Sequence, residues 1–590
     1  MAIPKKQRSI VSRPTTQKKV ATIRGLTTAL CLTSLSFVCT QVFADAPLRG
    51  NPVDALPSVQ SPPSTSPIRQ PLTLPQPAVQ SALQARLEQQ VKVQSFDVSG
   101  SRSIPFSDIS GLLTPLSGRT LSVAQLIQEV NQITVLYQQA GYPLSFAVLQ
   151  EQDFAQGKVK ITVVEGYIGT LTLQGDAGAT EPRIRRIAQA MLEEKPLTQR
   201  TLERTMNLLR TIPGLQFKPD LKLATRTDGK SELILDLQHQ NVSVNASLAE
   251  IGSSTQAMLQ LSANSLTPLG EKLTITGALP TTSEDVKYIA GNLSIPLGGN
   301  GLTLDIDGYH YHSHPKDNQL ERLGWSRTVI NERVGAAISY PFLLNNRQNL
   351  KGHAGFYVSR SSDNYARDAD QAWIAQTTDL RVLKAELEYR DASLQQSREL
   401  RLGVYRGIDG MGARKDLSTY IRPTGQSAVD LNFTRWTANF KQTLVLPQQF
   451  GLSVSGAGQL SNNALPSSEQ ISFGAWRHGY GYPQGEIAGD KGLGVTLELN
   501  RRFQLNNNWL NSIQAYIAHD WARTWQQQAE LSIEPTSRRL RSAAVGLRFS
   551  NNKHYLIDVN VAKPLGPLPT NERKRHLRYN TNLLFYHNAL

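Results

Sequence analysis

The sequence has very little cysteine and no long apolar run beyond its N-terminus, and each absence excludes a class of protein. Two cysteines among 590 residues provide neither a disulfide scaffold nor a multi-cysteine zinc site. A helical membrane protein needs apolar runs of about 18 residues or more, and the mean hydropathy here is −0.32. A transmembrane β-barrel stays open, because its alternating apolar and polar residues average to an ordinary composition.

Acidic residues are absent from the first 44 positions. Seven lysines and arginines lie within residues 1–24, an apolar and small-residue stretch covers 25–38, and Ala44 precedes Asp45, the first acidic residue. This order is typical of a secretory signal peptide, which we predict over residues 1–44. A membrane anchor is the alternative, but the apolar stretch is short and is interrupted by Thr and Ser.

Removal of this segment changes the charge and the cysteine content. Cleavage after Ala44 removes Cys31, Cys39 and seven cations, so the net charge falls from +15 to +8, with 55 basic against 47 acidic residues. A mildly basic exported protein gives little reason to expect a nucleic-acid partner. We therefore predict none.

The next segment, residues 45–90, is rich in proline. Nine of the 31 residues from Pro47 to Pro77 are proline, interleaved with Ser, Gln and Thr. Such a composition cannot bury enough apolar surface to fold by itself. We predict a proline-rich linker over 45–90 that ends in a short helix over Val79–Gln90.

Residues 91–240 show strand and helix patterns in two successive units. In residues 91–168, strand patterns flank a helical pattern over Leu121–Tyr137, and residues 169–240 repeat the scheme with two helices. Each unit has about 75 residues, enough for a small domain with one modest core. We predict two tandem α+β modules.

From residue 241 to 590, apolar and polar residues alternate with a period of two. Leu493, Val495 and Leu497, for example, alternate with Thr496 and Glu498. A soluble β-sandwich would show the same alternation. Segments near ten residues long and a charged polar face favour an antiparallel transmembrane β-barrel with a wet lumen.

The lengths of the connections between strands indicate which end of the barrel faces the periplasm. A short turn at 341–346 contrasts with long polar segments at 360–379 and 407–431, which we predict to be loops. Short periplasmic turns and long extracellular loops are typical of outer-membrane barrels.

A segment rich in glycine and aromatic residues, 473–492, leads into the strand pattern at Leu493. Here the sequence resembles the two-partner-secretion transporters (TpsB type, the haemolysin-activator family), whose long loop folds back into the barrel. That loop has an Arg-Gly-(Phe/Tyr) tip followed by Gly-Asp-x-Gly. A second family motif, in a late strand, falls on residues 518–522 and includes Asp520. The residues assigned to the loop motif are Arg477, His478, Gly479, Tyr480, Gly481, Tyr482, Gly489, Asp490 and Gly492.

The two modules also resemble parts of this family. The positions Tyr137, 141–143 and 165–166 match the first periplasmic POTRA domain, and 208–209 with 213–214 match the second. The resemblance implies a 16-stranded barrel in the outer membrane of a Gram-negative bacterium, with the POTRA domains in the periplasm.

The loop tip departs from the family pattern, since Tyr480 stands where the family has arginine. Arg477 lies three residues earlier. An arginine on an inserted loop can pair bidentately with a lumen carboxylate. Asp520 lies at a position of the alternating pattern whose side chain we expect to face the lumen. We predict an Arg477–Asp520 ion pair; the alternative is that Arg477 faces lumen water.

The resemblance implies that the POTRA domains capture an unfolded, TpsA-like exoprotein and that the barrel secretes it without a nucleotide. POTRA domains can bind an extended segment by adding a strand to a sheet edge. The inserted loop, together with the 79–90 helix, would block the resting lumen. Two alternatives remain: insertion of other barrels into the outer membrane, and a passive solute porin.

No pattern predicts catalysis or a cofactor. His310, His312 and His314 share one strand face, but at a strand end next to Pro315 and with no cysteine or carboxylate partner they indicate a polar loop rather than a metal site. The glycines over 485–491 lack the Gly-Lys-Ser/Thr ending of a phosphate loop. We predict a monomer in outer-membrane lipid that is not an enzyme and binds no metal.

Overall fold

The computed structural model describes residues 50–57, 87–150, 152–223, 228–251, 254–281, 286–315, 318–421, 427–527, 537–570 and 572–588. The predicted signal peptide and residues 79–86 of the predicted helix lie outside this part of the chain. Gln90, the predicted end of that helix, begins a strand instead. No helix among the described residues is both long and apolar enough to cross a bilayer.

The first module is a small sheet covered by helices. Ser122 starts the longer helix through a capping box with Gln125, and the apolar positions Leu126, Val130 and Ile133 are buried against the sheet. The sheet order is β2-β5-β4 and β1 pairs with β3, where the elements are β1 (Gln90–Lys92), β2 (Ser95–Ser99), α1 (Phe106–Leu113), β3 (Thr120–Ser122), α2 (Val123–Gln139), β4 (Phe146–Leu149) and β5 (Lys158–Val164).

The second module has two helices against a three-stranded sheet. Its apolar core includes Ile184, Met191, Leu202 and Leu209 from the helices and Leu235 from the central strand. The sheet order is β6-β8-β7, and the elements are β6 (Tyr167–Gly175), α3 (Glu181–Glu193), α4 (Gln199–Leu209), β7 (Leu215–Lys222) and β8 (Lys230–His239).

The remaining chain forms a closed antiparallel barrel. Its strands are β9 (Val242–Ile251), β10 (Ser254–Asn264), β11 (Lys272–Leu279), β12 (Val286–Leu297), β13 (Leu302–Ser313), β14 (Trp325–Leu344), β15 (Gln348–Arg367), β16 (Ala372–Ala392), β17 (Gln396–Gly407), β18 (Arg414–Thr419), β19 (Thr434–Val445), β20 (Phe450–Ser461), β23 (Lys491–Gln504), β24 (Ser512–Trp525), β25 (Ser537–Ser550), β26 (Tyr555–Pro564) and β27 (Arg578–Asn588). β17 and β18 both pair with β16 and form one crossing, so the described residues make sixteen crossings, closed by β27 against β9. Two further strands, β21 (Ile471–Phe473) and β22 (Ile487–Gly489), lie between β20 and β23, and α5 (Asn318–Arg322) precedes β14.

The two faces of the barrel differ as the alternation predicts. Leu497, Ile517 and Val545 point outward and are 48%, 54% and 63% exposed. The alternate positions, such as Glu498 and Asp520, face the lumen and are largely buried. An apolar outer belt around a charged interior fits a transmembrane barrel and excludes the sandwich.

The predicted loop over 360–379 is wrong. Residues up to Arg367 belong to β15 and residues from Ala372 belong to β16, so only 368–371 connect the strands. Twenty residues at about 3.3 Å each, tilted by about 45°, span roughly 45 Å, well beyond a hydrocarbon core of about 30 Å. These strands therefore extend past the bilayer, where neither face needs to be apolar.

The second module contacts the short turns at one end of the barrel. Arg183 Nη1 donates to Gly298 O at 3.0 Å, Arg204 Nη1 donates to Pro341 O at 3.1 Å, and Asn207 Nδ2 donates to Asn346 Oδ1 at 3.1 Å. These contacts place the short turns on the side of the modules.

Candidate functional site: the loop seated in the barrel lumen

Residues 462–490 connect β20 to β23 and fold into the barrel. β21 and β22 pair as a short hairpin within this loop, and its tip runs over 474–486. The hairpin is held by an apolar cluster in which loop residues pack against the barrel wall: Ile471, Phe473, Tyr482 and Ile487 with Ala457, Ala522 and Leu540.

Asp520 of β24 holds the loop tip against the barrel wall. We call Asp520 and its hydrogen-bond partners on the wall, Thr496 and Ser542, the seat of the loop tip. Its side chain is fully buried, and its Oδ2 accepts hydrogen bonds from Tyr480 N–H at 2.8 Å and from the Ser542 hydroxyl at 2.7 Å. The Thr496 hydroxyl donates to Oδ1 at 2.8 Å. One carboxylate thus joins the loop to three neighbouring wall strands, β23, β24 and β25.

Gly481 allows the tip backbone to approach the wall. Its N–H donates to Ser542 Oγ at 3.1 Å. A Cβ at this position would lie 2.7 Å from Pro564 N and 2.8 Å from the carbonyl carbon of Lys563. Because these are backbone atoms that cannot move aside, the seat requires glycine at position 481.

His478 extends the seat by one hydrogen bond. Its Nδ1 lies 2.8 Å from Thr496 Oγ1. Since the Thr496 hydroxyl donates to Asp520, it accepts from His478 Nδ1–H. Burial and the adjacent Arg477 lower the pKa of His478 to about 4, so the imidazole is neutral at pH 7.

The predicted Arg477–Asp520 ion pair is not formed, although the structure describes both residues. Arg477 Nη1 instead lies 2.7 Å from Asp54 Oδ2. The physical reason is that backbone and hydroxyl donors already surround the Asp520 carboxylate, including the N–H of Tyr480, which holds the tip against the wall.

The partner of Arg477 belongs to a short N-terminal segment, residues 50–57, inside the predicted linker. Asn51 caps a single 3-10 turn over Pro52–Ala55. A Cβ on Gly50 would lie 2.9 Å from Ser472 Cβ, so the segment packs closely against the loop hairpin. Part of the predicted linker is therefore ordered against the loop.

The other motif residues lie within the loop or where it returns to the wall. Tyr482 is buried and donates to Pro567 O at 2.9 Å. Asp490 accepts from Leu465 N–H and Gln527 N–H, both at 2.8 Å. The three remaining glycines all sit at close contacts: Gly479 against Gly474 Cα, Gly489 against Trp525 O, and Gly492 against Ile471 and Phe473.

A second anchor, Glu469, does not belong to the motifs. The Tyr357 hydroxyl donates to Glu469 Oε1 at 2.9 Å, and Arg435 Nη2 lies 2.7 Å from Glu469 Oε2. Glu469 is 5% exposed and joins the loop to β15 and β19, two strands that do not contact Asp520. In the sequence, only the positions of Tyr357 and Arg435 in the alternating pattern, which turn their side chains toward the lumen, pointed to this second anchor.

The Tyr480 side chain packs beside a cation supplied by the wall. It contacts a small apolar cluster that includes Tyr516. Arg548 on β25 binds Glu498 through two contacts of 2.7 Å and Asp558 through one of 2.8 Å. In this chain an arginine of the barrel wall thus lies next to the loop tip. In the tip itself, Tyr480 occupies the position where the family has arginine.

His310, His312 and His314 are placed at the extracellular end of β13. His310 Nδ1 lies 2.9 Å from Glu332 Oε1, so a carboxylate that is distant in sequence does lie beside the first histidine. Among the described residues no group of three or more His, Cys, Asp or Glu side chains has the arrangement of a metal site.

A closed sixteen-strand barrel, a loop seated on its wall and α+β modules at one end define an outer-membrane translocator. Residues 91–166 match the family model described as "POTRA domain, ShlB-type", and residues 229–549 match "Haemolysin secretion/activation protein ShlB/FhaC/HecB". The chain belongs to this haemolysin secretion/activation family of outer-membrane transporters, whose members work with TpsA-type exoproteins. The predicted family, fold class and outer-membrane location, with POTRA in the periplasm, are confirmed.

Relatives and solved structures match most of this chain at low sequence identity. The heme/hemopexin transporter protein HuxB of Haemophilus influenzae (strain 86-028NP) is 20% identical over 502 residues, 80% of this chain and 83% of that protein. The structure of CdiB from Escherichia coli has a TM-score of 0.61 at 20% identity and covers 90% of this chain and 95% of its own. BamA from Haemophilus ducreyi lacking POTRA domains 1–3 has a TM-score of 0.53 at 13% identity, with coverage of 84% and 100%. These structural likenesses show the fold alone.

Proposed function

We propose that the protein secretes an unfolded exoprotein, which its periplasmic modules bind and its barrel passes to the cell surface. The observation that carries the proposal is the loop over 462–490, held in the lumen by polar contacts at Asp520 and Glu469. Water or a polypeptide backbone can replace such contacts, so the loop can act as a displaceable closure.

The second module offers one sheet edge suited to an incoming strand. β6 and β7 are the edges of its sheet. Pro219 lies within β7 and removes a backbone donor, which makes that edge a poor template for pairing. β6 has no proline and exposes Thr170, so we propose that the exoprotein pairs with β6.

The N-terminal segment 50–57 supports a closed resting state. It packs on the loop hairpin, and the Arg477–Asp54 pair connects the two. Asp54 also lies near enough to Tyr309 of β13 and Arg435 of β19 to interact electrostatically with both. A segment between the loop and the opposite wall narrows the lumen, which argues against an open porin.

Insertion of other barrels is the second candidate function, favoured by the fold shared with BamA. The two functions predict different losses when the gene is deleted. A secretion channel loses one or a few large proteins from the culture medium, whereas an assembly factor loses barrel proteins from the outer membrane.

The test is quantitative mass spectrometry of medium and outer membrane from the bacterium that encodes the protein. Cells carry the wild-type gene, a deletion, or the deletion complemented either with the full chain or with a chain lacking residues 473–492. We expect a large exoprotein to disappear from the medium on deletion and to return only with the full chain. Secretion by the loop-deleted chain would contradict the role of the loop, and loss of membrane barrels alone would favour assembly.

A further inference from the structure

The outward face of β23–β26 carries a group of cations above the apolar belt. In these strands the odd-numbered side chains point outward, and the belt is formed by residues such as Leu499, Ile517, Val545 and Val561. Toward the extracellular ends of the same face lie five cations, here named the outer basic cluster: Lys563, Arg541, Arg539, Arg523 and Lys491.

The cations of this cluster share one face of the wall, and the described strands place no acidic residue among them on that face. Arg523 stands directly opposite Arg539 in the pairing of β24 with β25. Like charges at opposed positions destabilise a sheet. On these four described strands the carboxylates, Glu498, Asp520 and Asp558, all have lumen parity, so the outward positions hold cations without anions.

In the described part of the chain, no acidic side chain neutralises the charge of this cluster. Arg539, Arg541 and Lys563 are exposed and form no ion pair there. Arg523 Nε donates to Ser537 Oγ at 2.9 Å, and its guanidinium lies 4.8 Å from the centre of the Trp525 ring. Among the described residues, Arg539, Arg541 and Lys563 thus have no acidic partner, and their charged donors can bind an anion from outside the chain.

The position of the cluster identifies which leaflet supplies that anion. The second module contacts the opposite end of the barrel, so the cluster lies at the extracellular rim. Trp521 and Trp525 stand among the cations, and tryptophan prefers the boundary between hydrocarbon and head groups. With strands about 4.8 Å apart and about 3.3 Å per residue, the cluster covers roughly 14 by 20 Å, enough for two phosphate groups.

We propose that the outer basic cluster binds the phosphates of lipid A, the phosphorylated glycolipid of the outer leaflet. Arginine binds phosphate oxygens through paired hydrogen bonds, which suits the facing Arg523 and Arg539. The acyl chains of the same lipid then lie along the apolar belt below. The site requires only the outer-membrane location of the barrel and is independent of secretion.

The test measures lipid binding to the full-length protein in detergent by native mass spectrometry. The lipids are bisphosphorylated lipid A, monophosphorylated lipid A and phosphatidylglycerol. We expect the wild type to prefer bisphosphorylated lipid A. The variant R539Q/R541Q should bind it about 30-fold more weakly, because each cation beside an anionic lipid head group strengthens binding by roughly five-fold.

Two further variants control the test. R501Q removes an outward arginine at the periplasmic rim and should leave lipid A binding unchanged, and R539K/R541K keeps the charge and should retain binding within a few-fold. The heat-dependent gel mobility of each variant reports whether its barrel is folded. Equal lipid A affinity in R539Q/R541Q and wild type, or phosphatidylglycerol binding as tight as that of lipid A, would overturn the proposal.

Discussion

Asp520 couples the loop to the barrel because a loop N–H and two wall hydroxyl groups share its carboxylate. Removal of a buried acceptor leaves each donor without a partner and costs about 1–3 kcal/mol per group. Part of that cost falls on the Tyr480 N–H, which belongs to the loop. Loss of the carboxylate should therefore loosen the loop while the strands stay paired.

We expect D520A to expose the loop tip to protease added from outside the cell. One unsatisfied donor corresponds to a roughly tenfold larger population of the unseated loop, and the rate of cleavage within 474–486 measures it. Asp305 is the matched control, since it accepts hydrogen bonds from Ser294 and Ser339 on the lumen wall. Equal cleavage in D520A and D305A would contradict the assignment of the seat.

The Arg477–Asp54 pair is partly exposed and should contribute at most about 1 kcal/mol. R477D alone or D54R alone should increase single-channel conductance in planar bilayers by loosening residues 50–57. The double swap R477D/D54R should return conductance toward the wild-type value. If the double variant conducts no less than the more open single variant, the pair does not hold the segment.

The contacts of Asp520 and Arg477 can be predicted from the sequence only in part. The alternation of residues in β24 predicts that Asp520 faces the lumen. The group that reaches it is the backbone N–H of Tyr480, which no residue type reveals. The partner of Arg477 lies in a proline-rich segment whose composition gives no sign that it packs against the loop hairpin.

In the first module, Glu165 connects the end of the sheet to helix α2. Its Oε1 accepts from Ser103 N–H at 2.6 Å, Arg102 N–H at 2.8 Å and the Tyr137 hydroxyl at 3.0 Å. Burial alone would raise the pKa of Glu165, but these hydrogen bonds lower it overall. Burial also raises the pKa of Tyr137 to about 12, so the phenol stays a donor.

A carboxyl whose pKa is lowered by folding stabilises the fold above its unfolded pKa, about 4.3, and less as pH falls through its folded pKa. We therefore expect hydrogen-exchange protection factors of α2 to decline below pH 4.3 in the full-length protein. E165Q should be less protected at pH 7 and should lose this decline. Glu129 lies on the same helix, and E129Q should behave as wild type. An unchanged decline in E165Q would contradict the assignment.

The free edge of β6 makes a prediction about the exoprotein. A photoreactive maleimide on T170C should crosslink the exoprotein during secretion, because Thr170 is exposed on the edge strand that lacks proline. The same probe on D220C, beside Pro219 on β7, is the control. Both native cysteines precede residue 45, so the mature chain offers no competing thiol if the predicted signal peptide is removed. Equal crosslinking at both positions would contradict pairing with β6.

At the scale of secondary-structure elements, the sequence predicts that the strands exist but not how long they are. Period-two alternation marks the part of each strand that crosses hydrocarbon. In β15 and β16 the strands continue beyond the bilayer, where both faces are wetted and the alternation is lost. Polar residues over 360–379 therefore predicted a loop where the chain continues as strand.

At the scale of the whole molecule, the wall formed by β23–β26 carries different side chains on its two faces. Carboxylates of β23–β26 face the lumen, apolar side chains form the outer belt, and cations collect at the extracellular rim. The loop and residues 50–57 narrow the lumen, and the second module contacts the periplasmic turns. This arrangement places the second module at one end of a narrowed passage, as expected of a secretion channel.

The most direct test of secretion through the lumen is site-specific photo-crosslinking in cells that are exporting the exoprotein. A photoreactive phenylalanine analogue replaces Tyr309, on the lumen face of β13, or Tyr579, on the outward face of β27. We predict that the exoprotein crosslinks at position 309 and not at position 579. Secretion without a crosslink at 309, or equal crosslinking at both positions, would contradict passage through the barrel.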